Sequence, residues 1–187
     1  MKHLTVIAHP NPESFGSSLV KELYNHLIDK GDEAHIRNLY QTGFNPVLSS
    51  EDFSSFADNR TPNDIKTEQE YIKWADHVIF VYPVWWGGMP AILKGYIDRV
   101  FAEGFAYEYT ANGVNGLLSP RKGSVICTTG ESSENYKKIH DAMRVISSEV
   151  IFKFVGMEPY KQLFYGAVPS VSNEVRASYI QNVKEEF

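Results

Sequence analysis

Three short segments of the chain carry residue types that suit the binding of a phosphate or a flat organic ring. The first, residues 9–18, has the sequence HPNPESFGSS and directly precedes a predicted helix. Backbone N–H groups at the start of a helix attract anions, and serine hydroxyls add further donors. The segment therefore suits a phosphate, although a plain serine-capped helix would explain the same residues.

The second segment, residues 82–90, places two tryptophans and two glycines at the end of a predicted strand. Its sequence is YPVWWGGMP. The adjacent side chains of Trp85 and Trp86 cannot both point into one face of a core, and Gly87 and Gly88 let the backbone approach a ligand closely. The segment indicates a site for a flat ligand. The alternative is that a tryptophan anchors the loop or belongs to a subunit interface.

The third segment, residues 128–136, reads TTGESSENY and leads into a helix that carries His140. Tyr136 lies four residues before His140, so both side chains share one face of that helix near its N-terminus. A phenol and an imidazole in this position could hold or move one proton. A histidine that is simply exposed or packed is the alternative, and the pair has meaning only if the three segments converge.

The motifs of other reaction classes do not occur in the sequence. There is no HxxxH or CxxC pair, no GxSxG elbow, no P-loop and no GxGxxG fingerprint. Metal-dependent and serine-hydrolase chemistry therefore find no support.

Charge and hydropathy argue against nucleic-acid partners and direct membrane insertion. Lys and Arg number 18 against 23 Asp and Glu, a net charge of −5 with no basic run. The single Cys127 cannot form an internal disulfide, and the apolar stretch near the N-terminus is too short for a signal peptide. No run reaches the roughly 18 apolar residues of a membrane helix. We therefore expect a cytoplasmic protein.

Apolar patterning predicts alternating strands and helices along the chain. The expected strands are 4–8, 33–39, 77–82, 124–128 and 162–165, the second of them near the edge of a sheet. The first expected helix begins after Ser14 and ends at Gly31. The other expected helices cover 64–74, 91–101, 136–152 and 174–184. Residues 40–63 show no firm period and predict a long loop, while the alternating aromatics of 105–109 are typical of an edge strand.

This alternation predicts an α/β protein. We expect a flavodoxin-like doubly wound five-stranded parallel sheet with helices on both faces, formed by one domain over residues 1–187. In such folds a ligand binds beyond the carboxyl ends of the strands. The loops after the first, third and fourth strands are the three segments described above, so the fold predicts that they meet.

Taken together, four motifs resemble the NAD(P)H:quinone oxidoreductase family of flavodoxin-like flavoenzymes. The first is AHP at 8–10 followed by Ser14 and Phe15, and the second is residues 82–101 (YPVWWGGMPAILKGYIDRVF). The third and fourth are FAY at 105–107 and TTG at 128–130. The family includes bacterial NAD(P)H dehydrogenases and the ancillary subunits of glutathione-gated potassium-efflux systems.

The resemblance implies roles for individual residues. It implies that the flavin phosphate is held by His9, Ser14, Phe15, Ser17 and Ser18. It implies that the isoalloxazine ring lies along Pro83, Val84, Trp85, Trp86 and Gly87, with its pyrimidine edge at Thr128, Thr129 and Gly130. The catalytic pair would be Tyr136 and His140, which match a tyrosine and a histidine that stabilise charge on the flavin. Tyr107 and Tyr109 match aromatic residues that cap the substrate pocket of the partner subunit.

The resemblance further implies a homodimer that passes hydride from NAD(P)H to a quinone or similar small acceptor through FMN or FAD. The chain lacks the long C-terminal extension of the mammalian enzymes after Phe187, which favours a compact bacterial-type member and leaves FMN and FAD open, with a preference for FMN. An ancillary flavoprotein subunit of a membrane transporter is the alternative. A one-electron carrier is disfavoured, because the Trp-Trp-Gly-Gly loop suits a small substrate.

Overall fold

A five-stranded parallel sheet forms the centre of the protein. The structure, a computed structural model, describes residues 1–58 and 60–187. Its strands are β1 (Lys2–Ile7), β2 (Glu33–Asn38), β3 (His77–Pro83), β4 (Tyr107–Thr110), β5 (Gly113–Gly116), β6 (Lys122–Thr128) and β7 (Glu158–Tyr165). The five-stranded sheet has the order β2-β1-β3-β6-β7, with every pair parallel. The doubly wound fold predicted from the alternation is confirmed, and β2 lies at the edge of the sheet as expected.

Helices cover both faces of this sheet. They are α1 (Phe15–Asp29), α2 (Ser50–Ala57), α3 (Asn63–Trp74), α4 (Ala91–Val100), α5 (Lys137–Val145) and α6 (Asn173–Glu186). Val78 and Phe80 of β3 pack in the core shared with α3, α4 and α5, whereas Ile79 and Val81 pack in the core shared with α1 and α6. Because both faces of β3 are covered, its sequence is a continuous apolar run instead of an alternating one. The prediction of a single domain is not tested by these contacts and stays a prediction.

The prediction of a long loop over residues 40–63 is wrong, because helix α2 lies within it; residue 59 of that segment is outside the described residues. Ser49 and Asp52 form a reciprocal capping box at the start of α2. Asp52 is buried and accepts hydrogen bonds from Arg99 of α4. A helix with little intrinsic preference is thus stabilised by a tertiary contact.

Two further elements differ from the sequence prediction. The strand predicted around residues 105–109 is β4, but it pairs with β5 in an antiparallel hairpin that was not predicted. The single helix predicted over 136–152 is divided into α5 and a π-helical segment, Ile146–Phe152. Phe152 at the end of this segment is fully buried, and its ring occupies the space where a side chain at Gly123 would lie.

Among the described residues, no helix is both long and apolar enough to cross a membrane.

Candidate functional site

Four loops enclose a cleft at the edge of the sheet where β1, β3, β6 and β7 end. Its volume is about 500 Å³, within the range of small-molecule sites. The residues that line it are His9, Ser14, Phe15, Gly16, Pro83, Val84, Trp85, Trp86, Thr128, Thr129, Gly130, Glu131, Tyr136, Val168 and Pro169. The three segments singled out in the sequence therefore converge, together with a fourth that was not singled out.

The first wall is the loop after β1 and the start of α1. Ser14 is the N-cap, and its hydroxyl accepts a hydrogen bond from the backbone N–H of Ser17 at 3.1 Å. The N–H groups of Phe15 and Gly16, at the first two helical positions, have no intrahelical acceptor, and both residues line the cleft. With no acidic residue in the first turn, this end of α1 presents positive electrostatic potential to the cleft.

His9 extends the same wall. Its Nδ1 lies 3.0 Å from the backbone nitrogen of Asn11, from which it can accept a hydrogen bond, and 3.2 Å from the Asn11 carbonyl oxygen, to which it can donate one, so these contacts fit either tautomer of the ring. Burial lowers the pKa of His9. The hydroxyls of Ser17 and Ser18 instead donate to the backbone oxygens of Asn11 and Ser14, so these two serines support the loop without lining the cleft.

The second wall is a tight turn that separates the two tryptophans. The backbone groups of Trp85 and Gly88 form two hydrogen bonds of 3.0 Å with each other. Between them, Trp86 and Gly87 have positive φ angles of 51° and 75°. Glycine adopts this conformation readily, whereas it strains a residue as bulky as tryptophan. The turn directs Trp85 toward His9, with ring centroids 6.1 Å apart, and leaves Trp86 fully exposed.

The turn also provides donors. Among residues 1–58 and 60–187, no acceptor pairs with the backbone N–H groups of Trp86 and Gly87. Gly87, which the resemblance placed along the flavin ring, is not among the residues that line the cleft, whereas Pro83 and Val84 line it and are buried.

The third wall follows β6. The backbone N–H of Val84 donates to the carbonyl of Thr128 at 2.8 Å, which joins the second wall to the third. The Thr129 hydroxyl donates to the carbonyl of Glu131 at 2.8 Å. A Cβ at Gly130 would meet no atom within 4 Å, so the backbone there faces open space.

The fourth wall, residues 166–169, follows β7 and was missed in the sequence. Ala167 and Val168 donate backbone hydrogen bonds to Glu131 and Thr129, at 2.8 and 3.0 Å, so the third and fourth walls are joined. Gly16, Glu131, Val168 and Pro169 are the lining residues that sequence reasoning did not name. The rule that ligands bind at the carboxyl ends of parallel strands also applies to the fifth strand and would have indicated residues 166–169.

Tyr136 and His140 lie at different depths. Tyr136 is half-buried and lines the cleft, whereas His140 is 3% exposed, behind Tyr136, with ring centroids 6.1 Å apart. The His140 ring stacks on Phe164 at 4.6 Å, and its buried Nε2 has no partner among the described residues. Burial, aided by the nearby charge of Arg144, lowers the pKa of His140, so its ring is neutral at pH 7.

Tyr107 and Tyr109 are not part of this cleft within one chain. They lie on β4, where Tyr107 contacts Phe154 at 5.0 Å between ring centroids and Tyr109 at 5.7 Å. Tyr107 also lines a separate groove of about 220 Å³. Several exposed apolar side chains belong to this hairpin and to the helical segment that packs beside it: Tyr109, Val114, Val145, Ile146, Val150 and Phe154.

The geometry agrees with comparisons to known proteins. The family model Flavodoxin_2, described as a flavodoxin-like fold, matches residues 1–187. The chain belongs to this family. It is also similar to a Haemophilus influenzae protein named as an uncharacterized NAD(P)H oxidoreductase, with 34% identity over 97% of this chain and 91% of that protein.

Two further relatives agree with the resemblance found in the sequence. The chain is 32% identical to guinea pig NAD(P)H dehydrogenase (quinone) 1, over 98% of this chain and 77% of the relative. The solved structure of NAD(P)H:quinone oxidoreductase from Methanothermobacter marburgensis superposes with a TM-score of 0.90 and 27% identity, covering 99% of this chain and 96% of that one. The resemblance to NAD(P)H:quinone oxidoreductases is thereby confirmed.

Proposed function

We propose that the protein is a flavin-dependent NAD(P)H oxidoreductase that reduces quinones or similar small acceptors by two-electron, ping-pong hydride transfer. The cleft at the carboxyl edge of the sheet carries this proposal, because it is lined both by the start of α1, which suits an anion, and by a tryptophan turn whose N–H groups have no acceptor among the described residues. The cleft and the names of the relatives favour catalysis over the alternative of an ancillary transporter subunit.

The phosphate of the flavin fits the start of α1. Phe15 and Gly16, whose N–H groups begin the helix, line the cleft together with His9, and the first turn carries no acidic residue. A phosphate at a helix N-terminus is stabilised by these donors and by the helix dipole. Ser14 contributes indirectly, since its hydroxyl caps the helix and fixes the orientation of the first turn.

The flavin ring fits between the second and third walls. Pro83 and Val84 provide an apolar floor, and Trp85 closes the side toward His9. The free N–H groups of Trp86 and Gly87 suit the acceptor atoms at one edge of the ring. Thr128, Thr129 and Gly130 suit the pyrimidine edge, where the backbone at Gly130 is unobstructed.

The bound flavin would supply the hydride transfer, and the protein would supply placement and electrostatics. Tyr136 lines the cleft beside Gly130, where its hydroxyl can donate a hydrogen bond to negative charge that develops at the pyrimidine edge. His140 is buried next to Tyr136, with ring centroids 6.1 Å apart, and its Nε2 has no hydrogen-bond partner within residues 1–58 and 60–187 and could accept from or donate to that hydroxyl. In this arrangement Tyr136 is the catalytic residue and His140 positions it.

The nicotinamide donor and the acceptor would bind in turn on the open side of the cleft beside Trp86. One site used twice makes a separate dinucleotide motif unnecessary, which agrees with the absence of GxGxxG in the sequence. The exposed Trp86 side chain offers an apolar surface on which either flat molecule can stack.

A homodimer is part of the proposal. The exposed apolar side chains around β4, Tyr109, Val150 and Phe154 among them, form a surface suited to a second copy of the chain. Such a dimer would bring Tyr107 and Tyr109 to the cleft of the partner, where they would cap the substrate. Sedimentation analysis of wild type and Val150→Asp measures the assembly directly, and a monomeric wild-type protein would contradict this part of the proposal.

The first test is the colour of the purified protein, since a bound flavin makes it yellow. Mass analysis of the molecule released by heat then distinguishes FMN, which we propose as the cofactor, from FAD. The second is steady-state oxidation of NADH or NADPH with a benzoquinone as acceptor. If flavin-loaded protein shows no acceptor-dependent oxidation of either nucleotide, the proposed function is wrong. The expected cytoplasmic location stays a prediction that cell fractionation can check.

A further inference from the structure

Arg176 of α6 forms several hydrogen bonds with the fourth wall of the cleft. The guanidinium of Arg176 donates to the carbonyl of Val168 from Nε at 3.2 Å and from Nη2 at 3.0 Å, and Nη2 also donates to the carbonyl of Pro169 at 3.3 Å. Val168 and Pro169 both line the cleft. Nη1 donates to Asn173 at 3.0 Å, one turn earlier in the same helix.

Nε and Nη2 of the guanidinium thus donate to backbone carbonyls, and Nη1 donates to the side-chain oxygen of Asn173. Within residues 1–58 and 60–187, Arg176 forms no salt bridge with a carboxylate. The planar fork of arginine can donate to two adjacent carbonyls at fixed angles, and a lysine ammonium lacks this geometry. Arg176 is therefore arranged to fix the position of the backbone at Val168 and Pro169.

The segment that Arg176 holds is strained and tightly packed. Ala167 has a φ of 53°, in the left-handed region that residues other than glycine rarely occupy. A Cβ at Gly166 would lie 2.4 Å from the backbone nitrogen of Ser133. Strained backbone of this kind persists only where surrounding contacts hold it in place.

A second side chain of α6 acts on the same segment. The Tyr179 hydroxyl donates to the carbonyl of Gly166 at 3.1 Å, and the Tyr179 ring contacts Phe15 of the first wall edge-on, with centroids 6.3 Å apart. Arg176 and Tyr179 thus connect one helix to two opposite walls of the cleft.

We infer that Arg176 is a positioning residue for the ligand of this cleft: its fork holds Val168 and Pro169 in the conformation that lets the fourth wall close on the flavin. The inference rests on the proposed function for the identity of the ligand. The attachment of the segment to α6 is a separate claim that can be tested without any ligand.

The test compares Arg176→Met and Arg176→Lys with Lys184→Met, a matched control on α6 whose Nζ pairs with Glu22 at 2.8 Å. In the ligand-free protein, amide hydrogen exchange at Ala167 and Val168 should accelerate by about tenfold or more in both Arg176 variants. The dissociation constants of FMN and of riboflavin, measured by quenching of flavin fluorescence, should both rise by about tenfold. The Lys184 variant should change each quantity less than twofold.

Three results would overturn the inference. Unchanged exchange in Arg176→Met would show that the fork does not hold the segment. Weaker binding of FMN with unchanged riboflavin would show that Arg176 acts on the phosphate by its charge. Full rescue by Arg176→Lys would show that fork geometry is not needed. If wild type binds neither flavin while exchange still accelerates in the variants, the proposed function fails and the attachment to α6 stands.

Discussion

Replacing Arg99 with methionine should destabilise the protein strongly, because it removes the cation that pairs with the buried Asp52 of α2. The Arg99 side chain is 5% exposed and donates to both carboxylate oxygens of Asp52, at 2.9 and 2.8 Å. It also donates to Asp64 and to the carbonyl of Asn45. The substitution would leave the Asp52 carboxylate, which is 4% exposed, buried without a counter-charge.

The magnitude follows from this burial. Removing one partner of a buried pair costs about 3–5 kcal/mol of unfolding free energy. For a chain of this size each kcal/mol corresponds to about 2–4 °C, so the melting temperature should fall by roughly 6–20 °C. Lys94→Met on the same helix is the matched control: its pair with Asp98 is exposed at both ends and contributes at most about 1 kcal/mol.

The assay is urea denaturation of both variants followed by circular dichroism, with Arg99→Lys as a milder variant in case the methionine variant does not fold.

The stability that this pair contributes depends on pH. The hydrogen bonds from Arg99 lower the pKa of Asp52, so the contribution of the pair to the free energy of unfolding is complete above about pH 4 and is lost as the pH falls below that value. Acidification should therefore cost wild type more stability than Arg99→Met. A loss in Arg99→Met no larger than in Lys94→Met would refute the reasoning.

Three further predictions concern the cleft. Trp86→Ala should raise both the dissociation constant of FMN and the KM for quinone, because the proposal places both ligands against the exposed indole; titration and steady-state kinetics measure this, and an unchanged KM would contradict it. His140→Ala should slow reduction of the bound flavin by about tenfold or more while leaving flavin affinity nearly unchanged, since His140 lies behind the cleft wall; unchanged rates in stopped-flow experiments would remove His140 from the mechanism. Gly166→Ala should cost about 1–3 kcal/mol of unfolding free energy in urea denaturation, because its Cβ would overlap Ser133. Gly88→Ala, whose Cβ would meet no atom within 4 Å, should be nearly neutral, and equal losses in the two glycine variants would contradict the packing argument.

Much of the fold could be predicted from the sequence because its strongest patterns are local. The apolar run of β3 indicated a strand covered on both faces, and the five strands with their intervening helices indicated a doubly wound sheet. That topology brings the carboxyl ends of the strands to one edge. The convergence of residues near His9, Trp85 and Thr128 was therefore predictable without knowledge of any distance.

The missed elements depend on contacts between residues distant in sequence. Helix α2 is short and has only a weak local signal, the capping box of Ser49 and Asp52, and the decisive contact comes from Arg99, 47 residues after Asp52. The π-helical segment likewise places Phe152 over Gly123, a partner that periodicity cannot identify. Weak local preference leaves such elements to be decided by packing.

The same distinction applies to the site. Residue types and spacing by themselves determined which loops carry donors and aromatic rings, since loop position follows from the order of strands and helices. Only the tertiary structure decided that Trp86 is exposed, that His140 is buried next to Tyr136, and that hydrogen bonds join the loop after β7 to the loop after β6. These outcomes depend on side-chain direction, backbone φ angles and hydrogen bonds between loops, which are set when separate parts of the chain pack against one another.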